Sequence, residues 1–80
     1  MEKKNYTVSA YTENNIGLLS RISAIFLKRH INIESITASK SEVQEVMRFV
    51  IVVHTTEEQV RKIVGQIEKQ IEVIKAYYHS

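Results

Sequence analysis

The longest apolar run of the sequence is Phe49-Val50-Ile51-Val52-Val53, which follows Met47-Arg48. Its β-branched side chains favour an extended backbone, so residues 47–53 are predicted to form a strand. Residues 31–39 are also rich in β-branched side chains, and only the polar stretch 40–45 separates the two segments. A connection of this length is typical of a hairpin, and we predict that the two strands are antiparallel neighbours.

Amphipathic helices are predicted on both sides of this hairpin. Their apolar residues recur at helical spacing, as Ile16, Leu19, Ile22, Ile25 and Phe26 before the hairpin and as Val60, Ile63, Val64, Ile67 and Ile71 after it. The first helix is expected to end near Arg29. Thr56 and Gln59 have the spacing of a capping box, which predicts the start of the second helix.

Two further strands complete the pattern, one at residues 6–12 and one at residues 72–78. The order β-α-β-β-α-β predicts an α+β, ferredoxin-like sandwich, with a four-stranded antiparallel sheet and two helices on one face. We expect residues 1–80 to form a single domain. Because residues 49–53 are all apolar, the other face of the sheet is expected to be covered by a partner, or the sheet extended at its edge.

The composition of the 80 residues excludes several kinds of chemistry. The chain has no Cys, Pro, Trp or Asp, and its three His are far apart, which excludes thiolate metal sites and catalytic triads. We therefore expect no metal, no cofactor and no catalysis by this chain. The net charge of +2 is spread without a basic run, so no nucleic acid partner is indicated. With no membrane span or signal peptide in the sequence, we expect a cytoplasmic location.

The turn Glu13-Asn14-Asn15-Ile16-Gly17 is the strongest candidate for a binding site. It places a glycine and two amides at the start of the first helix, where backbone N–H groups and the helix dipole attract an anion such as a carboxylate. The alternative is that Asn14 or Asn15 is only the N-cap and Gly17 only a turn residue. A second amide, Asn32, begins the second strand, and its alternative role is to hold its own turn. The residues alone indicate a small binding or assembly module.

A family resemblance is carried by two motifs, Glu13-Asn14-Asn15-Ile16-Gly17-Leu18-Leu19-Ser20-Arg21 and Asn32-Ile33-Glu34-Ser35, and by residues 66–71. In this combination they resemble the ACT domain of the regulatory small subunit of acetolactate synthase, also called acetohydroxyacid synthase. The likeness spans essentially the whole chain. It implies a non-catalytic, cytoplasmic subunit of branched-chain amino-acid biosynthesis. Such a subunit activates a large catalytic subunit and transmits feedback inhibition by valine, leucine or isoleucine, typically valine.

The resemblance also implies where the effector binds. ACT domains of this family form homodimers with their sheets side by side, and the effector lies at the interface. By matching position, Asn14 and the backbone of Gly17 and Leu18 would hold its carboxylate and amino group. Asn32 and Ile33 of the other protomer would close the site.

Two departures from the family pattern keep alternatives open. His30 stands where the family usually has glycine after the first helix, so a left-handed cap would be strained there and the turn before Asn32 would differ. Longer members carry a second domain, so the 80 residues correspond either to a fragment or to a short member. An effector-independent assembly module is the main alternative function. An RNA-recognition motif or an acylphosphatase-like enzyme shares the element order, but their signature residues are missing.

Overall fold

The computed structural model describes residues 2–15 and 17–80, and its elements follow the predicted order. The four strands are β1 (Lys4–Glu13), β2 (Asn32–Lys40), β3 (Val46–Thr55) and β4 (Val73–His79). The two helices are α1 (Leu18–Lys28) and α2 (Glu57–Glu68). Ile16, which was predicted to begin the apolar stripe of the first helix, lies outside the described residues. Within them, neither helix has the length and apolar character needed to cross a bilayer.

The sheet has the order β2-β3-β1-β4, and all three pairings are antiparallel. The predicted hairpin is therefore confirmed, and β2 and β4 are the edge strands. β1 and β3 pair without interruption from Lys4 opposite Thr55 to Glu13 opposite Val46. β2 carries a bulge between Ile33 and Ser35. These registers fix which residues share an end of the sheet, and that placement decides how a site is assembled.

The core lies between one face of the sheet and the two helices. Alternate residues of the central strands point into it, and the predicted stripe of α2 is buried there through Ile67. Burial of these aliphatic side chains is what drives the sheet and the helices together. The largest fully buried side chains are Phe26, Leu18, Ile22, Ile51, Ile63 and Ile67.

Two apolar residues of the predicted helix stripes were assigned wrongly. Leu19 is 42% exposed, and Leu18 takes the core position instead. Ile71 is 92% exposed because α2 ends at Glu68, before the stripe reaches it. The sequence continues the helical spacing past the point where the chain turns toward β4, so periodicity alone misplaced that boundary.

The face of the sheet away from the helices is less apolar than the run 49–53 suggests. Val50 and Val52 point to this face and are only half-buried, whereas Phe49, Ile51 and Val53 face the core. Val50 has Ser9 on one side and Thr37 on the other. The fully apolar run thus behaves as an ordinary alternating strand whose outer valines are surrounded by hydroxyl side chains.

The end of α1 adopts the left-handed turn that His30 was expected to disfavour. His30 has φ of 55°. Its N–H donates to the Leu27 carbonyl at 3.0 Å, and the Ile31 N–H donates to the Phe26 carbonyl at 3.1 Å. This is the Schellman pattern, completed by burial of both Phe26 and Ile31. The turn therefore forms with histidine at the position that glycine favours, at a steric cost to that residue.

Candidate functional site

The turn between β1 and α1 is fixed by its own hydrogen bonds. The Gly17 N–H donates to the Asn15 side-chain oxygen at 3.0 Å. The Leu18 N–H donates to the Asn15 carbonyl at 3.2 Å. Both backbone donors that the sequence assigned to a ligand are therefore engaged within the turn. The Leu18 side chain is fully buried in the core, so only its backbone is available to a site.

Gly17 is the N-cap of α1, which corrects the alternative that Asn14 or Asn15 has that role. Its φ is −80° and its ψ is −8°, which any residue adopts. Among the described residues that are not its chain neighbours, a Cβ at Gly17 would meet only the Asn15 side-chain oxygen, at 3.7 Å. Neither the backbone conformation nor crowding by the described residues thus requires glycine at this position. Its lack of a side chain leaves the N-terminus of α1 accessible to another molecule.

Asn14 lies beside a small groove at the same end of the sheet. Its N–H donates to the Glu45 carbonyl at 3.3 Å, which joins the turn to the β2–β3 hairpin. The side chain is exposed, and no described residue makes a hydrogen bond to it. The groove has a volume of 240 Å³ and is also lined by Lys40 and Met47. That volume is below the range of about 300–1,000 Å³ of complete ligand pockets.

Asn32 and Ile33 lie at the opposite end of the sheet. Asn32 pairs with His54, whereas Lys40 at the other end of β2 pairs with Met47. At 3.3 Å per residue, the length of β2 separates the two groups by roughly 26 Å. The Asn32 side-chain amide donates to the Glu34 carboxylate at 3.0 Å, so its contact within one chain lies inside β2 and not in the turn before it. One chain therefore does not bring the five predicted site residues together.

A polar cluster that the sequence did not predict lies at the start of α1. The Arg21 guanidinium donates to the Glu72 carboxylate, which precedes β4. The Asn15 side-chain amide donates to the same carboxylate oxygen at 3.4 Å. The bond from Arg21, supported by a backbone N–H, lowers the pKa of Glu72 from its ordinary value of 4.5. The second oxygen of Glu72 is buried without a hydrogen-bond partner among the described residues.

No local signal in the sequence pointed to this cluster. Arg21 and Glu72 are 51 positions apart, and each has the surroundings of an ordinary surface charge. Only the pairing of β1 with β4 brings them close, because the Glu13 N–H donates to the Glu72 carbonyl at 2.8 Å. The cluster attaches the turn at residues 13–17 to the connection between α2 and β4.

A β-α-β-β-α-β sandwich with this strand order, and with a polar turn at the start of its first helix, is the ferredoxin-like fold that ACT domains adopt. The fold matches the ACT domain of a GTP pyrophosphokinase from Chlorobium tepidum with a TM-score of 0.82 at 11% identity, covering 98% of this chain and all of that one. At this identity the match shows the fold alone.

The particular family follows from the sequence. A family model described as the AHAS small subunit-like ACT domain matches residues 8–75, and the chain belongs to this family. The acetolactate synthase small subunit of Bacillus subtilis is 46% identical over 63 residues, 78% of this chain and 37% of that protein. A probable acetolactate synthase small subunit of Methanothermobacter thermautotrophicus is 35% identical over 94% of this chain and 45% of its own length.

A solved structure agrees with this membership. The acetolactate synthase small subunit of Thermotoga maritima matches with a TM-score of 0.84 at 31% identity, covering 94% of this chain and 47% of that one. The predicted resemblance and fold are confirmed, and the chain is a regulatory ACT domain rather than a catalytic subunit. It spans less than half the length of these small-subunit relatives.

Proposed function

We propose that residues 1–80 form one ACT domain that binds a branched-chain amino acid, typically valine, between two copies of the chain. Binding transmits feedback inhibition to the large subunit of acetolactate synthase, which the same domain activates, in the cytoplasm. The domain needs no cofactor or metal of its own. One observation carries the proposal: α1 begins without any acidic residue in its first turn, beside a groove that reaches the β2 edge.

Antiparallel pairing of two β2 edges supports a site made from both copies. β2 is an edge strand of nine residues, so its outer backbone groups are available to a second strand. Such a pairing places the start of one β2 beside the end of the other. Asn32 of one copy then lies near Lys40 of its partner, and Lys40 lines the same groove as Asn14. The two halves that lie apart in one chain thus meet across the pair.

Each half would supply different chemistry to a free amino acid. The N-terminus of α1 offers N–H donors and the positive end of the helix dipole to the carboxylate. The oxygens of the Asn14 and Asn32 side chains accept from the ammonium group. Ile33, which is half-buried and packs against the core cluster, provides an apolar wall for a small aliphatic side chain.

Thermal unfolding with added amino acids tests effector binding. At about 100 times the dissociation constant, valine should stabilise the protein by roughly 2.7 kcal/mol, and leucine and isoleucine should act similarly or less strongly. D-valine is the matched control, because its charges are the same and its geometry is reversed. Absence of a shift with all three L-amino acids would exclude effector binding. The mass in solution, measured alongside, reports whether two copies associate.

An effector-independent assembly module is the second candidate function. The engagement of the Gly17 and Leu18 amides within the turn favours it, because a turn with satisfied donors needs no ligand. Co-purification with the large subunit, followed by an assay of acetolactate synthesis with and without valine, separates the two. Activation that valine leaves unchanged favours assembly alone, whereas activation that valine reverses supports the regulatory site.

A further inference from the structure

The Asn15 side chain already accepts the hydrogen bond of an amide that the proposed site offers to the effector carboxylate. Its oxygen accepts from the Gly17 N–H at 3.0 Å, which is a well-formed hydrogen bond at the start of α1. A carboxylate oxygen bound to the same amide would have to take this place. The contact is not required by the backbone, since Gly17 has ordinary helical dihedral angles. The chain thus carries an acceptor of its own at the amide that the proposed site uses.

Glu72 and Arg21 hold that acceptor in place. The orientation that presents the Asn15 side-chain oxygen to Gly17 directs its nitrogen to Glu72, at 3.4 Å, so the bond to Glu72 favours that orientation. Glu72 is itself fixed by the ion pair to Arg21, whose own helix begins at the same turn. The side chain of Glu72 is 16% exposed, so it is largely shielded from water. Releasing Asn15 from Gly17 therefore also disturbs its bond to Glu72.

We propose that Asn15 sets the effector affinity by competing with the effector carboxylate for the Gly17 amide, and that Glu72 is the residue that positions Asn15 to do so. This inference rests on the proposed function. A carboxylate is the stronger acceptor because its hydrogen bonds are charge-assisted, so it displaces the neutral amide when the effector is abundant. The internal contact raises the effector concentration at which displacement occurs.

The proposal makes opposite predictions for two substitutions at one position. Asn15→Ala removes the competitor, so valine should bind about three- to tenfold more tightly, which corresponds to one hydrogen bond. Asn15→Asp replaces the competitor with a charged acceptor, so valine should bind at least about tenfold more weakly. Glu72→Gln loosens the hold on Asn15 and should give a smaller gain than Asn15→Ala. A residue that only shaped the turn would weaken binding when replaced by Ala and much less when replaced by Asp, which keeps an acceptor for the Gly17 N–H.

The experiment is calorimetric titration of valine into the wild-type protein and the three variants, with thermal unfolding measured for each to establish that it is folded. Lys62→Ala is the control, because Lys62 is exposed in the middle of α2 and belongs to neither half of the proposed site. Backbone amide spectra give a second measurement that needs no effector. Only Gly17 and Gly65 are glycines. Asn15→Ala should move the Gly17 signal and leave the Gly65 signal in place.

Every outcome decides the question. Tighter binding by Asn15→Ala with weaker binding by Asn15→Asp supports the proposal, and so does binding that is detectable only in Asn15→Ala. Weaker or unchanged binding by Asn15→Ala, while the wild-type protein binds valine, overturns the competition and leaves the proposed function standing. Absence of valine binding by the wild-type protein and all variants overturns both.

Discussion

The two helices of this domain begin in opposite ways. At α2, Thr56 is the N-cap, and its hydroxyl accepts from the Gln59 N–H at 3.2 Å, while Glu57 and Glu58 stand in the first turn. At α1 the N-cap is Gly17, which has no side chain to cap the helix, and no acidic residue stands in the first turn. The positive end of the α2 dipole is neutralised by acidic residues of the helix itself. The positive end of the α1 dipole meets only an uncharged acceptor, the Asn15 side-chain amide.

This difference separates a structural helix start from one suited to a ligand. The N–H groups and the dipole at the start of α2 already interact with its own side chains. An added anion would therefore gain little binding energy there. At α1 no acidic side chain in the first turn supplies this electrostatic contribution, so an anion from solution would gain more there. Substitutions that make one terminus resemble the other therefore test the comparison directly.

Gly17→Asp has the largest expected effect. It places a carboxylate at the start of α1 and should weaken valine binding roughly a hundredfold, because the added charge repels the effector carboxylate and competes for the positive end of the helix. The φ of −80° accommodates the new side chain, but the ψ of −8° is not the extended geometry from which a side chain caps a helix, so stability should change by no more than a few tenths of a kcal/mol. Calorimetric titration and thermal unfolding measure the two effects separately.

Gly17→Ala is the control for Gly17→Asp, since it adds a side chain without charge. We expect its loss of affinity to be much smaller than that of aspartate. Equal losses in the two variants would mean that close approach, rather than charge, governs the site. Unchanged binding by Gly17→Asp would contradict a carboxylate site at this terminus.

Thr56→Ala removes the cap of α2 and should destabilise the domain by about 1 kcal/mol, because the Gln59 N–H loses its acceptor. The midpoint of thermal unfolding should fall by about 4–8 °C in a domain of this size. Valine binding should stay within the error of the wild-type value. Ser20→Ala, in the exposed first turn of α1, is the matched control and should change stability by less than about 0.5 kcal/mol. A similar loss at Ser20 would mean that the two termini do not differ.

The ends of the helices also differ, and His30→Gly tests this. α1 ends through His30, one residue beyond its C-cap Arg29, at φ of 55°, whereas neither the C-cap of α2, Lys69, at φ of −77°, nor the residue after it has a positive φ. Glycine relieves the left-handed strain at His30, and its greater freedom in the unfolded chain offsets part of the gain, so stability should rise by about 0.5–1 kcal/mol. Lys69→Gly should give no gain. Chemical denaturation measures both, and a stabilisation at Lys69 equal to that at His30 would contradict the strain.

Acid should loosen the attachment of the turn at α1 through Glu72. The lowered pKa means that ionised Glu72 stabilises the folded protein above pH 4.5, and this contribution is lost as the pH falls from 4.5 through the folded-state pKa. The wild-type protein should therefore lose more stability below pH 4.5 than Glu72→Gln does. Unfolding midpoints between pH 6 and about pH 3 give the comparison, with Glu68→Gln on exposed α2 as the control. Identical pH profiles for the wild type and Glu72→Gln would contradict the ion pair.

Most of the fold was predictable because local patterns and global topology agree. An apolar stripe at helical spacing predicted α2, through Val60, Ile63, Val64 and Ile67. The spacing of Thr56 and Gln59 predicted where this helix begins. The hairpin followed from two β-branched segments and a short polar connection. What failed were details that depend on distant parts of the chain. Ile71 continues a helical pattern, yet it lies beyond the helix and is 92% exposed.

The residues of the candidate site stay a prediction, because they come from the motif around Asn14 and Gly17. Sequence spacing could not show that Asn15 bonds the Gly17 amide in the folded chain. Nor could it reveal Glu72, which reaches the turn only through the pairing of β4 with β1. The separation of Asn32 from Asn14 is a property of the folded sheet, and it makes the proposed site depend on a second chain.

That separation has a consequence for how the proposed assembly would respond in the cell. A pair related by a twofold axis repeats each contact, so it has two equivalent binding sites, one metabolite for each polypeptide. Dilution dissociates the pair, and both binding sites then lose the metabolite together. Sensitivity to the amino acid would then follow the abundance of the protein itself, so a cell that makes less of it would sense the same metabolite less well.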